Sequence, residues 1–175
     1  MTETAASRRN QVKTPAQVEE TALGTLSVDR LASKLRRDFP RILEHQPVSL
    51  AYLFGSVTTG RMNPFSDVDI ALLVDKGLSP LEMLKLMLRI QLELADQCDI
   101  SNADVRIIND APLVFRGRVV CDGLLVYSRD EQERIEFEVA TRLRYFDYQP
   151  VHKRLQDAFF ADLRERGLYG RSGQD

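Results

Sequence analysis

Residues 55–70 read GSVTTGRMNPFSDVDI and join two apolar, β-prone segments. VSLAYLF, from Val48 to Phe54, predicts a buried strand that enters a turn at Gly-Ser. VDIALLV, from Val68 to Val74, predicts a second strand. The turn precedes an Asp-x-Asp pair by ten residues. This stretch decides the fold, because it defines two strands and places small and acidic residues where one ends and the other begins.

The residue types of this stretch suit a metal-bound polyphosphate. Asp67 and Asp69 are two positions apart, so on a strand they project from one face and can share a hard divalent cation. Gly55 lets a phosphate approach the backbone, and Ser56 adds a hydroxyl donor beside the amides of the turn. A lone Asp-x-Asp is more often a solvated strand end, so the prediction depends on the full arrangement.

The segment that follows the second strand carries a complete helix start. Ser79 is the expected N-cap, Pro80 occupies the first helical position, and Glu82 stands three residues after the cap. We therefore predict a helix to about Gln97 that covers the sheet. Its expected apolar face comprises Leu84, Leu88, Ile90 and Leu94.

Further elements flank these on both sides. A helix with Pro40 as its bend or break point is expected before the first strand. Residues 103–108 predict a third strand, and a helix from Pro112 to Asp122 should lead into a short edge strand at 124–127. Beyond Arg129 we expect two helices separated at Pro150. The chain thus divides into a flexible arm (1–26), one α+β domain with a small mixed sheet and a helical C-terminus (27–166), and a tail (167–175).

Composition narrows the classes of function. The 175 residues carry 24 Lys and Arg against 26 Asp and Glu. The net charge of -2 therefore gives no overall electrostatic attraction to nucleic acid or to an anionic membrane. Apolar runs stop at five residues, far from the roughly 20 that span a bilayer. The first twenty residues lack an apolar centre, so no secretory signal is expected. With Cys98 and Cys121 alone, no disulfide framework is indicated, which suits the cytoplasm.

The arrangement of this stretch resembles the signature of the DNA polymerase β-like nucleotidyltransferase superfamily. It consists of a strand, Gly-Ser, a spacer, Asp-x-Asp and an apolar strand. The chain is most similar to the minimal nucleotidyltransferases, the MntA-like antitoxins paired with HEPN-domain toxins. The resemblance extends from about Leu50 to Pro150 and includes the run VRIINDAPLVFRGRVVCDGLLVYSRD. It implies the fold of that superfamily.

The resemblance also implies roles for single residues. Gly55 and Ser56 match the pair that holds nucleotide phosphates, and Asp67 and Asp69 match the metal-binding carboxylates. Asp104, on the following strand, matches a third acid that completes the metal site and accepts a proton, although Asp99 and Asp110 lie nearby.

The roles of two further residues each allow two interpretations. Ser66 either orients Asp67 through a hydrogen bond or is a simple turn residue at the strand entry. Arg61 either supplies positive charge to the triphosphate, in place of the basic residues that many relatives carry directly after Gly-Ser, or is an ordinary exposed arginine.

The implied activity is Mg²⁺-dependent transfer of AMP from ATP to a tyrosine of a cognate HEPN ribonuclease toxin, which silences that toxin. Two alternatives stay open: an antitoxin that only occludes its partner, and adenylylation of a small molecule such as an aminoglycoside. At this length little chain remains to grip an acceptor, which favours a protein partner. Five aromatic residues of the terminal helices are expected mainly in the core, although so dense a group would also suit a protein interface: Tyr145, Phe146, Tyr148, Phe159 and Phe160.

Overall fold

The computed structural model describes residues 15–58 and 67–166 of the chain. In chain order they form α1 (Pro15–Leu43), β1 (Val48–Phe54), β2 (Val68–Val74), α2 (Pro80–Cys98), β3 (Ala103–Ile107), α3 (Leu113–Asp122), β4 (Leu124–Ser128) and α4 (Glu131–Arg166). None of the helices in these two ranges is both long and apolar enough to cross a membrane.

The strands form one mixed sheet with the order β3-β2-β1-β4. β1 lies in the centre and pairs antiparallel with β2 and with β4. β2 and β3 are parallel, and α2 is the crossover that such a pair requires. This arrangement confirms the predicted α+β fold with a small mixed sheet, helices packed on it and a helical C-terminus.

Alternation along the strands, shifted where the register of β1 is irregular, gives each sheet face its own apolar core. Leu53, Ile70 and Leu72 face α1 and α2, whereas Leu50 and Tyr52 belong to a second core on the side of α3 and α4. Asp69 falls two residues before Ala71, a member of the second core, so its carboxylate projects on the face of α3 and α4. The hydrophobic pattern therefore decides on which face the acidic residues appear.

Helix α1 is longer than its predicted counterpart. It begins at Pro15, so residues 15–26 of the predicted arm are helical, while residues 1–14 lie outside the described residues. Pro40 stands inside the helix without ending it. Leu35, Phe39 and Leu43 are fully buried at intervals of four residues, and this continuous packing against the sheet holds the last turn in place. The predicted tail, residues 167–175, also lies outside the described part.

Helix α2 begins as the sequence predicts. The Glu82 backbone N–H donates to the Ser79 hydroxyl at 3.3 Å, and the Ser79 N–H donates to the Glu82 carboxylate at 2.7 Å, which completes a capping box. The predicted apolar face is partly wrong, since Leu84 and Leu88 are exposed. The helix is apolar around most of its circumference, so spacing alone does not select a face. The buried row is Leu86, Ile90, Leu94 and Cys98.

The C-terminal part confirms α3 and β4 and corrects the prediction of two terminal helices. Helix α4 continues through Pro150, so the predicted break there is wrong. Pro150 is exposed and removes a single backbone hydrogen bond, and long helical segments on either side keep the helix intact. The first half of α4 packs on α3, where a Cβ at Gly117 would overlap the ring of Tyr145.

A buried polar cluster fastens α4 to the centre of the sheet. The Tyr52 hydroxyl donates to Glu138 Oε1 at 3.0 Å, and Glu138 is itself buried. Arg134 and Arg142, one turn before and after it, pair with the other carboxylate oxygen at 3.0 and 3.2 Å. Two cations and a hydroxyl thus compensate for the burial of one carboxylate, which would otherwise be costly.

Candidate functional site

The predicted acids meet where the parallel strands β2 and β3 begin. Asp69 in β2 stands directly opposite Asp104 in β3, and both side chains project on the face of α3 and α4. Asp67 immediately precedes β2 and is exposed. The sheet register therefore brings Asp104 to the Asp-x-Asp pair, whereas Asp99 is the C-cap of α2 and Asp110 follows β3. Of the three acids that the sequence offered, Asp104 has the matching position.

The turn after β1 closes directly on the second acid of the pair. Gly55 has a positive φ of 82°, a conformation that glycine adopts without strain. A Cβ added at Gly55 would overlap the carboxylate of Asp69. The Thr58 hydroxyl donates to the Gly55 carbonyl at 3.1 Å and closes the turn. The residue after β1 must therefore be glycine for two independent reasons: its backbone conformation and the carboxylate beside it.

Burial and the neighbouring acids disfavour the charged form of Asp69. Partial burial raises the pKa of the Asp69 carboxyl above its usual range, and the negative charges of Asp104 and Asp67 raise it further. Arg106 opposes this rise. A site that concentrates carboxylate oxygens and suffers from their mutual repulsion has the chemistry that a hard divalent cation satisfies.

Asp104 is paired with Arg106, a neighbour on its own strand. The guanidinium of Arg106 donates to Asp104 Oδ2 at 2.6 and 2.9 Å. The alternation that aligns Asp67 with Asp69 also puts Arg106 on the face of Asp104, so the Asp-x-Arg spacing was an available signal. Across residues 15–58 and 67–166, no three His, Cys, Asp or Glu side chains are grouped closely enough to hold a metal ion. Asp104 is held by its arginine instead.

The remaining predicted residues divide into two groups. Ser56 is half-buried in the turn next to Gly55, and its contact with phosphate stays a prediction. Arg61 and Ser66 lie outside the described residues, so their predicted contacts with nucleotide and with Asp67 stay predictions.

A pocket of about 320 Å³ opens beside Gly55, between the end of β1 and α3. Phe54 and Phe115 form one wall, with their rings edge to face and their centroids 5.4 Å apart. Arg118 and Asp122 bring charge to the same pocket. These residues were not predicted to belong to the site, because the orientation of α3 depends on tertiary packing. The remaining lining residues are Thr58 and Val119.

The fold matches that of polymerase β-like nucleotidyltransferases. Residues 40–132 match the family Polymerase beta, Nucleotidyltransferase, and the chain belongs to this family. No curated protein matches the sequence significantly.

The fold is similar to those of solved toxin-antitoxin complexes, which confirms the expected likeness to minimal nucleotidyltransferase antitoxins. A toxin-antitoxin structure with AMP-PNP contains a chain that is 26% identical, with a TM-score of 0.56, and covers 71% of this chain and 98% of that one. A variant of the MntA-HpeT complex gives 25% identity, a TM-score of 0.52, and coverage of 71% and 97%. The structure of the tri-AMPylated HEPN toxin of Shewanella oneidensis with its MNT antitoxin gives 23% identity, a TM-score of 0.53, and coverage of 74% of this chain and 98% of that one.

Proposed function

We propose that this protein is an antitoxin that transfers AMP from ATP to a tyrosine hydroxyl of a cognate HEPN ribonuclease toxin and thereby silences it. The proposal joins the family of the chain to the fold that it shares with antitoxin chains of toxin-antitoxin complexes. A nucleotide beside the ribonuclease site would occupy the place of the RNA phosphate and add negative charge there. The reaction would take place in the cytoplasm.

One observation carries the proposal: the contact between the Gly55 turn and the Asp69 carboxylate. It joins a backbone that a phosphate can approach to a group that a metal ion can bind. A structural acid at a strand end has no need of such a glycine. Nucleotidyl transfer does, because the phosphates and the metal ion that binds them must reach the turn and the carboxylate at the same place.

The pocket beside the turn offers a place for the rest of the nucleotide. Its aromatic wall, Phe54 and Phe115, suits a purine base, and Asp122 can accept a hydrogen bond from an exocyclic amine. Arg118 adds a positive charge at the same opening. We propose that ATP binds with its base in this pocket and its triphosphate over Gly55 and Ser56.

Asp67, Asp69 and Asp104 would hold Mg²⁺, which supplies charge neutralisation and activates the attacking hydroxyl. The tyrosine oxygen attacks the α-phosphorus of ATP, the bond to the bridging oxygen breaks, and pyrophosphate leaves. The phenolic proton passes to a carboxylate, for which Asp104 is the candidate. Arg106 must then release Asp104 or share it, since its guanidinium now holds one carboxylate oxygen.

The surface of α4 supports a protein acceptor over a small molecule. Val139, Leu143 and Phe146 are about half exposed at intervals of three and four residues, and α4 lies almost entirely beyond the region that matches the family. An apolar stripe of this kind on a helix suits a partner helix. The wider set of exposed apolar residues on α4 includes Ile135, Tyr148, Val151, Leu155, Phe159 and Phe160.

The test is to incubate the purified protein with α-labelled ATP, Mg²⁺ and the HEPN product of the neighbouring gene, and to measure label on each protein. We expect label on the toxin and loss of its ribonuclease activity. Labelled GTP, CTP and UTP serve as controls for the base. If no nucleotide labels the toxin while the two proteins form a stable complex, the transfer reaction is refuted.

A second candidate, an antitoxin that only occludes the toxin, is favoured by the Asp104–Arg106 pair. A salt bridge of 2.6 Å at the third acid is the arrangement expected of a site that no longer binds metal. Replacing Asp67 and Asp69 together by Asn separates the two functions. Toxin inhibition should be lost if AMP transfer is the mechanism, and it should persist if occlusion suffices.

A further inference from the structure

Helix α2 presents a second apolar face to solvent, on the side opposite its buried row. Leu81, Leu84, Leu88 and Leu92 follow one another at intervals of three and four residues, so they lie on one face of the helix. Their exposed fractions are 59, 48, 51 and 71%. Single exposed leucines are ordinary, but four in a row form a stripe that a partner normally covers.

The charges beside this stripe are ordered along the helix. Three charged residues each come one position after a leucine of this stripe: Lys85, Arg89 and Glu93. Asp96 continues the same row one turn further, so the first half of the row is positive and the second half negative. Glu82, at the start of the row, is held by the capping box. Within residues 15–58 and 67–166, no ion pair is formed by Lys85, Arg89, Glu93 or Asp96. Arg89 donates to the Gln46 side chain, and Glu93 accepts a hydrogen bond from Gln97.

This order runs against what an isolated helix prefers. The C-terminal end of a helix carries partial negative charge and is stabilised by cations, yet Asp96 stands in the last turn of α2, which contains no basic residue. In an antiparallel pair, the second half of each helix lies beside the first half of the other. A second α2 would therefore bring Lys85 and Arg89 to Asp96 and Glu93.

We infer that α2 is the contact of a two-fold symmetric homodimer of this chain. In the register that pairs Lys85 with Asp96 and Arg89 with Glu93, Leu88 of each copy packs against Leu92 of the other, and the charged rows meet with opposite signs. A single helix pair buries less than the roughly 800 Å² per partner of a standard interface, so the dimer dissociates at low concentration. Its partner surface is α2 of a second copy.

The dimer leaves the proposed nucleotide site free. α2 packs on the sheet face of α1, whereas the pocket at Phe54 and Phe115, the side chain of Asp69 and the helices α3 and α4 lie on the other face. A toxin on α4 and a second copy on α2 can therefore bind at the same time. The inference goes beyond the proposed function and does not depend on AMP transfer.

The test is sedimentation velocity of the full chain from about 5 to 500 µM, a range that spans weak self-association. We expect a shift from the 20.0 kDa monomer to about twice that mass. Two charge-reversed proteins probe the contact: one carries Lys85→Glu and Arg89→Glu, and the other carries Glu93→Lys and Asp96→Lys. Each alone should stay monomeric throughout, and an equimolar mixture should regain the dimer. Far-UV circular dichroism establishes that both are folded.

A double variant of exposed cations on α4, Arg144→Glu with Lys153→Glu, is the matched control and should dimerise like the parent protein. A parent protein that stays monomeric at 500 µM overturns the inference, because the stripe would then have no affinity for itself. Dimers of unchanged strength in both charge-reversed proteins overturn it as well, since they place the contact elsewhere. A mixture that fails to associate refutes the antiparallel arrangement of charges.

Discussion

Gly55 and Asp69 are in contact across the β1–β2 connection. The glycine has a positive φ, and the Asp69 carboxylate occupies the position that a side chain at residue 55 would take. Residues fourteen positions apart in sequence thus form one unit. The two strands pair antiparallel, with Phe54 opposite Asp69, so the residue after β1 necessarily arrives at the acid. The turn at Gly55 and the Asp69 carboxylate are therefore positioned by the same hydrogen-bonded ladder.

Replacing Gly55 by Ala should lower kcat/KM for nucleotidyl transfer by about 100-fold or more, because the new methyl group displaces the Asp69 carboxylate. Gly77→Ala is the matched control. Gly77 also has a positive φ, in the turn before α2, but nothing lies within 4 Å of its Cβ position. Gly77→Ala should cost about 1 kcal/mol of stability and leave transfer intact. Equal activity of the two variants would show that the Gly55 contact is dispensable.

The assignment of the third acid predicts a large loss of activity for one aspartate and almost none for two others. Asp104→Asn should lower kcat by about 10³-fold, since it removes a charge directly opposite Asp69. Asp99→Asn should have little effect, because Asn tolerates the left-handed conformation of that C-cap. Asp110→Asn should also be close to neutral. Steady-state transfer assays on the three proteins decide the matter, and a larger loss at Asp99 or Asp110 than at Asp104 would contradict the register argument.

Removing the charge of Arg106 should strengthen metal binding. Arg106 pairs with Asp104 and opposes the rise of the Asp69 pKa, so its positive charge competes with a divalent cation for the same carboxylates. We expect Arg106→Gln to lower the Mg²⁺ concentration for half-maximal transfer by about threefold to tenfold, a modest effect because the pair is partly exposed. Arg116→Gln, which removes a cation that donates to the Asn109 carbonyl, is the control. A higher Mg²⁺ requirement in Arg106→Gln would mean that this arginine orients Asp104.

Asp75 should make the stability of the fold depend on acid pH. Arg129 donates to both Asp75 oxygens, at 2.5 and 3.1 Å, and together with the Ser49 hydroxyl it lowers the pKa of the Asp75 carboxyl. Because the folded pKa lies below the unfolded one, the stabilisation is fully present above about pH 4 and is lost as pH falls through the folded value.

Asp75→Asn should therefore reduce the free energy of unfolding by no more than about 1 kcal/mol at pH 7, since the pair is exposed to solvent. Urea titrations from pH 7 down to pH 2.5, about the range over which a carboxyl of lowered pKa titrates, should show the difference vanish. A difference that stays constant across this range would place the effect in packing instead of charge.

The sequence was sufficient wherever the signal was local. The capping box of Ser79 and Glu82, the strands around the Gly-Ser turn and the face of Asp69 all follow from spacing and residue type. Asp104 needed more, since its place opposite Asp69 depends on the parallel register of β2 and β3. Resemblance to the family supplied that step.

The failures share one physical origin: tertiary contacts decided between patterns that the sequence allowed. Leu84 and Leu88 belong to a helix that is apolar on most sides, and only docking on the sheet determined which side was covered. Pro150 was expected to end a helix, but a helix with long segments on both sides tolerates the loss of one hydrogen bond. The pocket at Phe115 depends on how α3 packs, which no spacing predicts.

The most direct test of the central claim is intact-mass spectrometry of the HEPN partner after co-expression with this protein. We expect a toxin heavier by one or more AMP units, on tyrosine, when the antitoxin is unaltered. We expect an unmodified toxin when the antitoxin carries Asp69→Asn, although the two proteins still co-purify. An unmodified toxin that is nevertheless inhibited by the unaltered antitoxin would contradict the claim and establish occlusion.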